Sequence, residues 1–328
     1  MKKLLSMILA LGMILSLTAC GNDTNNDPNM TNIGVIQLAE HPALDSSYEG
    51  FMAALQDAGY VEGENLKVDY QNAQGDPSNC DTIANKFVNN KVDLILAIAT
   101  NAAQSAANAT KDIPIVLTAV TDPEYSGLVD SNELPGGNVT GTSDLTPVEA
   151  QIDLLTQILP EAKTVAVMFN GAEDNSIFQA NLAKTAIENK GMIYKEVSVS
   201  ELSQIQSVVE SLVGKVDAIY MPTDNLLAEG MATVTMITNE NKIPTIVGEE
   251  ANCENGGMAT YGLSYYNLGY KAGEQAVAIL KGETTPAEMP IGYLPAEDCV
   301  LAINMDTVNA LGITIPDEIL AEAKLIQE

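Results

Sequence analysis

The chain contains no tryptophan and a single histidine, His41. A histidine-based metal site or a Ser-His-Asp triad would have only that residue to work with. Cationic side chains are scarce. Fifteen Lys and Arg stand against 44 Asp and Glu, for a formal net charge of −29. So acidic a surface repels phosphate backbones and anionic lipid heads, which argues against nucleic acid and any polyanionic ligand. Cysteines number four, and none sits in a C-x-x-C pair, so neither thiol redox chemistry nor a zinc knuckle is indicated. No G-x-S-x-G elbow, dinucleotide fingerprint or Walker loop stands in its required context. Gly136-Gly137 leads into Asn138-Val139, a turn rather than a phosphate loop. Glu249-Glu250 is a carboxylate pair, but glycoside hydrolysis needs two opposed carboxyl groups. These grounds assign no catalytic residue, no metal and no cofactor, and an enzyme is not expected.

The first twenty residues are legible. Lys2 and Lys3 precede an almost wholly apolar run, Leu4 to Leu17, too short to span a bilayer comfortably. Leu17-Thr18-Ala19-Cys20 follows, and then Gly21. This is the layout of a secretory signal peptide. Its ending resembles the bacterial lipobox, which implies lipidation of Cys20 and cleavage before it. The expected mature protein is extracytoplasmic and lipid-anchored to the bacterial cell membrane. Asn22 to Asn32 carries no packing residue except Met30, so 21–32 reads as a flexible tether. Cys80, Cys253 and Cys299 remain, which allows one disulfide with a free thiol or three buried thiols.

With 328 residues, 46% of them hydrophobic, the chain can bury a large core and form two domains. The body alternates buried apolar runs with helical spacings. Ile33 to Leu38 predicts a strand, and Leu44 to Ala58 an amphipathic helix stopped by Gly59. Strands at Leu66 to Tyr70, Val92 to Ala97 and Ile115 to Thr118 alternate with helices over 80–88 and 101–110. After Val139 to Ser143 the pattern restarts, with strands expected over 164–169, 193–197, 218–221 and 245–247. One helix is expected from Leu226 to Asn239, and an extended run over 287–293. Buried strands separated by such helices predict parallel, doubly wound sheets. Two runs of this kind predict two Rossmann-like α/β lobes.

Ligands of doubly wound sheets bind at the carboxyl ends of the strands. Here those ends are rich in small polar residues. Helix starts near Thr100, Asn175 and Thr223 offer free amides suited to a small carboxylate, and Asp224 and Glu249 suit a cation. Together they suit a zwitterion. Asp224 is the expected ammonium partner, with Glu249 as substitute. Thr100, Thr142, Asn175 and Ser176 are the expected carboxylate donors. Gln37, Pro42 and Leu44 would line a side-chain pocket, with Thr121 at its edge. His41 either lines the cleft mouth or caps its own loop. Tyr265 or Tyr266 could approach from the hinge.

Several stretches carry a family resemblance: HPALD at His41, GYVEGENL at Gly59, YQNAQGD at Tyr70, IATNAAQ at Ile98 and TAVTDP at Thr118. PGGNVTGTSD at Pro135, LVGKVDAIYMPTDN at Leu212 and KIPTIVGEE at Lys242 continue it. From Ile33 to Ile315 the chain resembles the TrpX/TrpY-type substrate-binding lipoproteins of ABC importers. The resemblance implies the type I periplasmic-binding fold, two lobes joined by three crossovers. It places a first lobe at 33–142 with 265–290 and a second at 143–264 with 291–328. The crossovers fall near Ser143, Tyr261 to Ser264 and Pro290 to Pro295. It also implies a monomer serving a permease and its ATPase, with an aromatic amino acid as ligand. Receptors for a branched-chain amino acid, a nucleoside or a small peptide, and a lipid-anchored sensor, remain the alternatives.

Overall fold

The computed structural model describes residues 30–295 and 298–327. The expected signal segment, Cys20 and the tether up to residue 29 lie outside the described residues. Strand β1 (Thr31–Gln37) takes in Thr31 and Asn32, which polarity alone assigns to the tether. Asn32 is held there because its amide donates to Asp93 Oδ2 at 2.7 Å.

The first run continues α1 (Pro42–Asp57), β2 (Leu66–Asn72), α2 (Pro77–Asn90), β3 (Leu94–Ile98), α3 (Thr100–Ala109), β4 (Ile115–Val120) and β5 (Val139–Ser143). These strands form one parallel sheet in the order β2-β1-β3-β4-β5. Every residue of β3 and β4 is buried, as a strand covered by helices on both faces requires.

The second run holds α4 (Val148–Ile158), β6 (Thr164–Asn170), α5 (Asp174–Asn189), β7 (Ile193–Val199), α6 (Leu202–Leu212) and β8 (Ala218–Met221). Then come α7 (Asn225–Glu229), α8 (Met231–Glu240), β9 (Thr245–Val247), α9 (Glu250–Glu254) and β10 (Ala259–Gly262). The helix expected over 226–239 is two helices meeting at Gly230. A Cβ there would lie 2.1 Å from Ile205 Cδ1, so α6 packs directly on the break.

The chain then returns. Helix α10 (Tyr265–Leu280) packs on α1 and joins the first core through Leu268, Ala272 and Ala276. The approach is backbone to backbone: a Cβ at Gly269 would lie 1.9 Å from the Ser47 carbonyl, and one at Gly50 2.0 Å from that of Tyr266. Only glycine permits such contact. Where an extended run was expected, Pro286–Glu288 is a 3-10 turn. Strand β11 (Val300–Asn304), α11 (Met305–Leu311), α12 (Asp317–Glu322) and β12 (Lys324–Ile326) complete the second lobe. Its sheet runs β12-β11-β10-β9-β8-β6-β7, antiparallel only between β10 and β11.

Three connections thus pass between the sheets, after β5, after β10 and before β11. Two of them pair: Ser143 donates to the Gly292 carbonyl and Gly292 to that of Gly141, both at 2.8 Å. All three described cysteines are free thiols. Cys80 and Cys253 are buried, and burial pushes the Cys80 thiol up to about 12.

Candidate functional site

The carboxyl ends of both sheets face a small cavity of about 10 Å³. The first lobe contributes His41, Leu44, Ala119 and Thr121. Asn175, Thr223, Asp224, Asn225 and Glu249 come from the second, and Asp144 and Tyr265 from the crossovers. Shut as it is here, the cavity has room for about one water molecule. The backbone is strained beside it. Ala119 has φ 56° and Ala99, between β3 and α3, has φ 82°. Non-glycine residues hold such angles only where their surroundings enforce them, often at ligand sites.

The electrostatics are one-sided. Asp144, Glu173, Asp224 and Glu249 are each 3–5% exposed. No Lys or Arg lines the cavity. Burial raises all four carboxyls above their ordinary range, Glu249 to about 8. Burial also lowers the His41 pKa, so that the imidazole stays neutral. Among the described residues no three such groups are placed to share a metal ion. The cavity thus gathers buried carboxyl groups with no cationic side chain in its lining.

Five of the expected ligand residues line this cavity: Leu44, Thr121, Asn175, Asp224 and Glu249. Asp224 is more committed than expected. It caps α7, accepting from Leu227 N at 3.0 Å, and its other oxygen accepts from Asn170 N at 2.6 Å. Glu249 is freer, with Oε1 buried and without a partner. Asn175 is turned the other way from a carboxylate donor. Its Nδ2 donates to Glu173 at 3.3 Å and to Ser176 Oγ at 3.2 Å, and its carbonyl oxygen is left unpartnered.

The other five lie outside the lining. Ser176 is fully buried and supports Asp224 with a hydrogen bond. Thr142 sits in the hinge, its hydroxyl on Thr118 Oγ1 at 3.0 Å and on the Leu268 carbonyl. Pro42 is an exposed first-turn residue of α1. Gln37 donates to Asp45 Oδ1 at 2.6 Å and to the Ala39 carbonyl at 2.8 Å. Thr100 opens α3 with a buried, unpartnered hydroxyl.

Asp144 and Glu173 were not singled out from the sequence, nor was Gln179. Asp144 follows a strand end on a crossover, and Glu173 stands between Asn170 and Asn175 in the loop after β6. Gln179, one turn into α5, is fully buried and reaches Thr121 Oγ1 at 3.2 Å across the cleft. It also bonds Thr223 Oγ1. Other groups meet across the cleft too. His41 Nε2 lies 3.3 Å from Asn225 Oδ1, and Gln104 donates to Asp174 Oδ2 at 2.8 Å. The Tyr125 and Phe178 rings are 4.9 Å apart.

Two doubly wound lobes that shut on a single acidic cavity define a solute receptor of the periplasmic-binding-protein type I fold. The particular family follows from comparison. The model of the ABC transporter substrate binding protein family matches residues 32–326, and the chain belongs to that family. A tyrosine-binding protein of Clostridioides difficile is 44% identical over 322 residues, 94% of this chain and 92% of the relative. The structure of an ABC domain from Streptococcus pneumoniae in complex with L-Trp is 36% identical. It superposes with a TM-score of 0.87 over 91% of this chain and all of that one. A ligand-free, open substrate-binding protein with adhesive properties from Clostridium difficile is 43% identical. Its TM-score is 0.70, over 91% of this chain and 99% of that one. The contacts across the cleft show this chain in a closed form.

Proposed function

We propose that this substrate-binding protein captures a zwitterionic aromatic amino acid, tyrosine or tryptophan, and hands it to the permease of an ABC importer. The observation that carries the reading is the closed cavity ringed by carboxylates with no lining cation. An ammonium group completes it electrostatically, which a sugar or neutral nucleoside cannot do. The ammonium faces the second lobe, where Glu249 Oε1 and Asn175 Oδ1 are unpartnered acceptors. The carboxylate turns to the first lobe. There the start of α3, outside the lining of the shut cavity, offers backbone amides with the unpartnered Thr100 hydroxyl, whereas the Thr121 hydroxyl already donates to Asp144 Oδ1 at 3.0 Å. Leu44, Ala119 and the Tyr265 ring supply the apolar contact. The aromatic preference rests on the two relatives named for tyrosine and bound to L-Trp. Lipidation at Cys20 would keep the receptor at the membrane that carries its permease, and Cys20→Ala should shift it to the soluble fraction.

Calorimetric titration against the twenty amino acids and a set of nucleosides tests the ligand. Saturable heat from tyrosine, tryptophan or phenylalanine supports the reading. Binding confined to a nucleoside or a branched aliphatic overturns the ligand and leaves the family unchanged.

A further inference from the structure

Glu173 ends the loop before α5, where it could cap its own helix. It does not: its side chain makes no cap bond and turns inward, 5% exposed. There it meets three side-chain amides. Asn170 Nδ2 donates to Oε1 at 2.9 Å. Asn225 Nδ2 and Asn175 Nδ2 donate to Oε2 at 2.8 and 3.3 Å. Once ionised, above its raised pKa of about 7, the carboxylate only accepts, so it selects the NH2 end of each amide. The carbonyl ends must then point elsewhere. Asn170 Oδ1 accepts from Ala172 N at 3.0 Å. Asn225 Oδ1 faces His41 Nε2 across the cleft, and Asn175 Oδ1 has no partner. Asn175 and Asn225 both line the cavity, whereas Glu173 does not.

We propose that Glu173 is a positioning residue that sets the polarity of the ligand-facing wall. By holding the NH2 groups of Asn175 and Asn225, it makes that wall an array of acceptors. The array extends Asp224 and Glu249 with neutral carbonyls and discriminates for a ligand that brings N–H donors. The chain Glu173–Asn225–His41 carries the same orientation to the first lobe. With Asn225 presenting oxygen, His41 bears its hydrogen on Nε2, and the neutral ring leaves Nδ1 as an acceptor. The inference rests on the amino-acid reading above.

The test compares an aromatic amino acid with its des-amino analogue, the matching 3-arylpropionate, by calorimetry. Glu173→Gln keeps the shape and introduces a donor that competes with the Asn175 NH2. The amino acid should weaken roughly tenfold or more, a lost charge-assisted hydrogen bond. The analogue should change by less than about threefold, because specificity is the difference between the two. The double variant Glu173→Gln with Asn175→Asp exchanges donor and acceptor and should restore the preference for the amino acid. It keeps the test decisive if the single variant folds poorly. Equal weakening of both ligands, or no recovery in the double variant, would overturn the role of Glu173. Failure of the unmodified protein to bind any amino acid would instead remove the reading beneath it.

Discussion

The Tyr265 hydroxyl donates to Asp144 Oδ2 at 2.8 Å, and Glu249 is the second carboxyl group beside that phenol. One phenol carries one hydrogen. If Asp144 takes it, Glu249 completes its own contact with Tyr265 only by holding a proton. Asp144–Tyr265–Glu249 is therefore a chain of two carboxyl groups and a phenol that stores a proton when the lobes shut without a cation.

A pH dependence of closure follows. Burial first, then Asp144, raises Glu249 from 4.5 to about 8, with Asp224 adding and Tyr265 opposing. A carboxyl opened to solvent returns toward its ordinary value. Between those limits the closed form keeps a proton that the open form has lost, so closure weakens as pH rises. Asp144, Asp224 and Glu173 shift in the same direction. His41 acts oppositely: burial lowers it from 6.5, so its protonation favours opening. The clean window is pH 6.5 to 8. Small-angle scattering of the ligand-free protein should show compaction as pH falls through it, and Glu249→Gln should flatten the response. A lobe separation independent of pH would dismiss the stored proton.

Closure also has supports that touch no ligand. Tyr125 and Phe178 pack across one rim, beside the Gln104–Asp174 bond. An aromatic pair contributes about 0.5–1.5 kcal/mol beyond its buried area. Losing it from the closed form alone raises the apparent Kd by the matching factor. Phe178→Ala should weaken ligand several-fold, mainly through faster dissociation, and leave the melting temperature nearly unchanged. Stopped-flow dissociation rates check this. An unaltered off-rate would mean that the rim contact carries no share of closure.

Much of this was legible in the sequence, and the reason is positional. Leu44, Thr121, Asn175, Asp224 and Glu249 lie just beyond strand ends, where a doubly wound fold assembles its sites, so the order of elements alone nominates them. Asp144 and Gln179 acquire their roles from partners far along the chain. Asp144 meets Tyr265 at a separation of 121 residues, and Gln179 meets Thr121 at 58. No local spacing encodes such pairs. The same holds for β12, a three-residue edge strand registered against Asn304 and tied through Lys324 to Glu250. Asn175 shows a finer limit. Its place in the site was readable, but its polarity was set by a carboxylate two residues away.

The return of α10 to the first lobe depends on glycine. At Gly269 a methyl group would stand 1.9 Å from the Ser47 carbonyl, which α1 can relieve only by moving. Overpacking of this kind costs about 1–3 kcal/mol. Gly269→Ala should lower stability in a denaturant titration by that order. Gly137→Ala, where a Cβ meets nothing within 4 Å, serves as control and should be nearly neutral. Equal stability of the two variants would show that the helices separate freely.

The two cavity carboxylates of the second lobe should respond differently to neutralisation. Both Asp224 oxygens accept backbone N–H groups, from Leu227 and Asn170. An amide can offer only one acceptor there, and its NH2 would face a backbone donor. Asp224→Asn should therefore lower the melting temperature as well as weaken ligand. Glu249 has a free oxygen and accepts no backbone N–H inside the cavity that a neutral amide would have to replace. Glu249→Gln puts a neutral amide where the shut, ligand-free form already holds a neutral carboxyl group, so the ligand-free protein should melt no lower than the parent. Its affinity for an amino acid should still fall by about 2 kcal/mol or more, because the ammonium loses its charged partner. Thermal melts and calorimetry on both variants separate the cases. Tight amino-acid binding by Glu249→Gln would move the ammonium to Asp224. Loss of stability in Glu249→Gln, with none in Asp224→Asn, would reverse the division of labour argued from their hydrogen bonds.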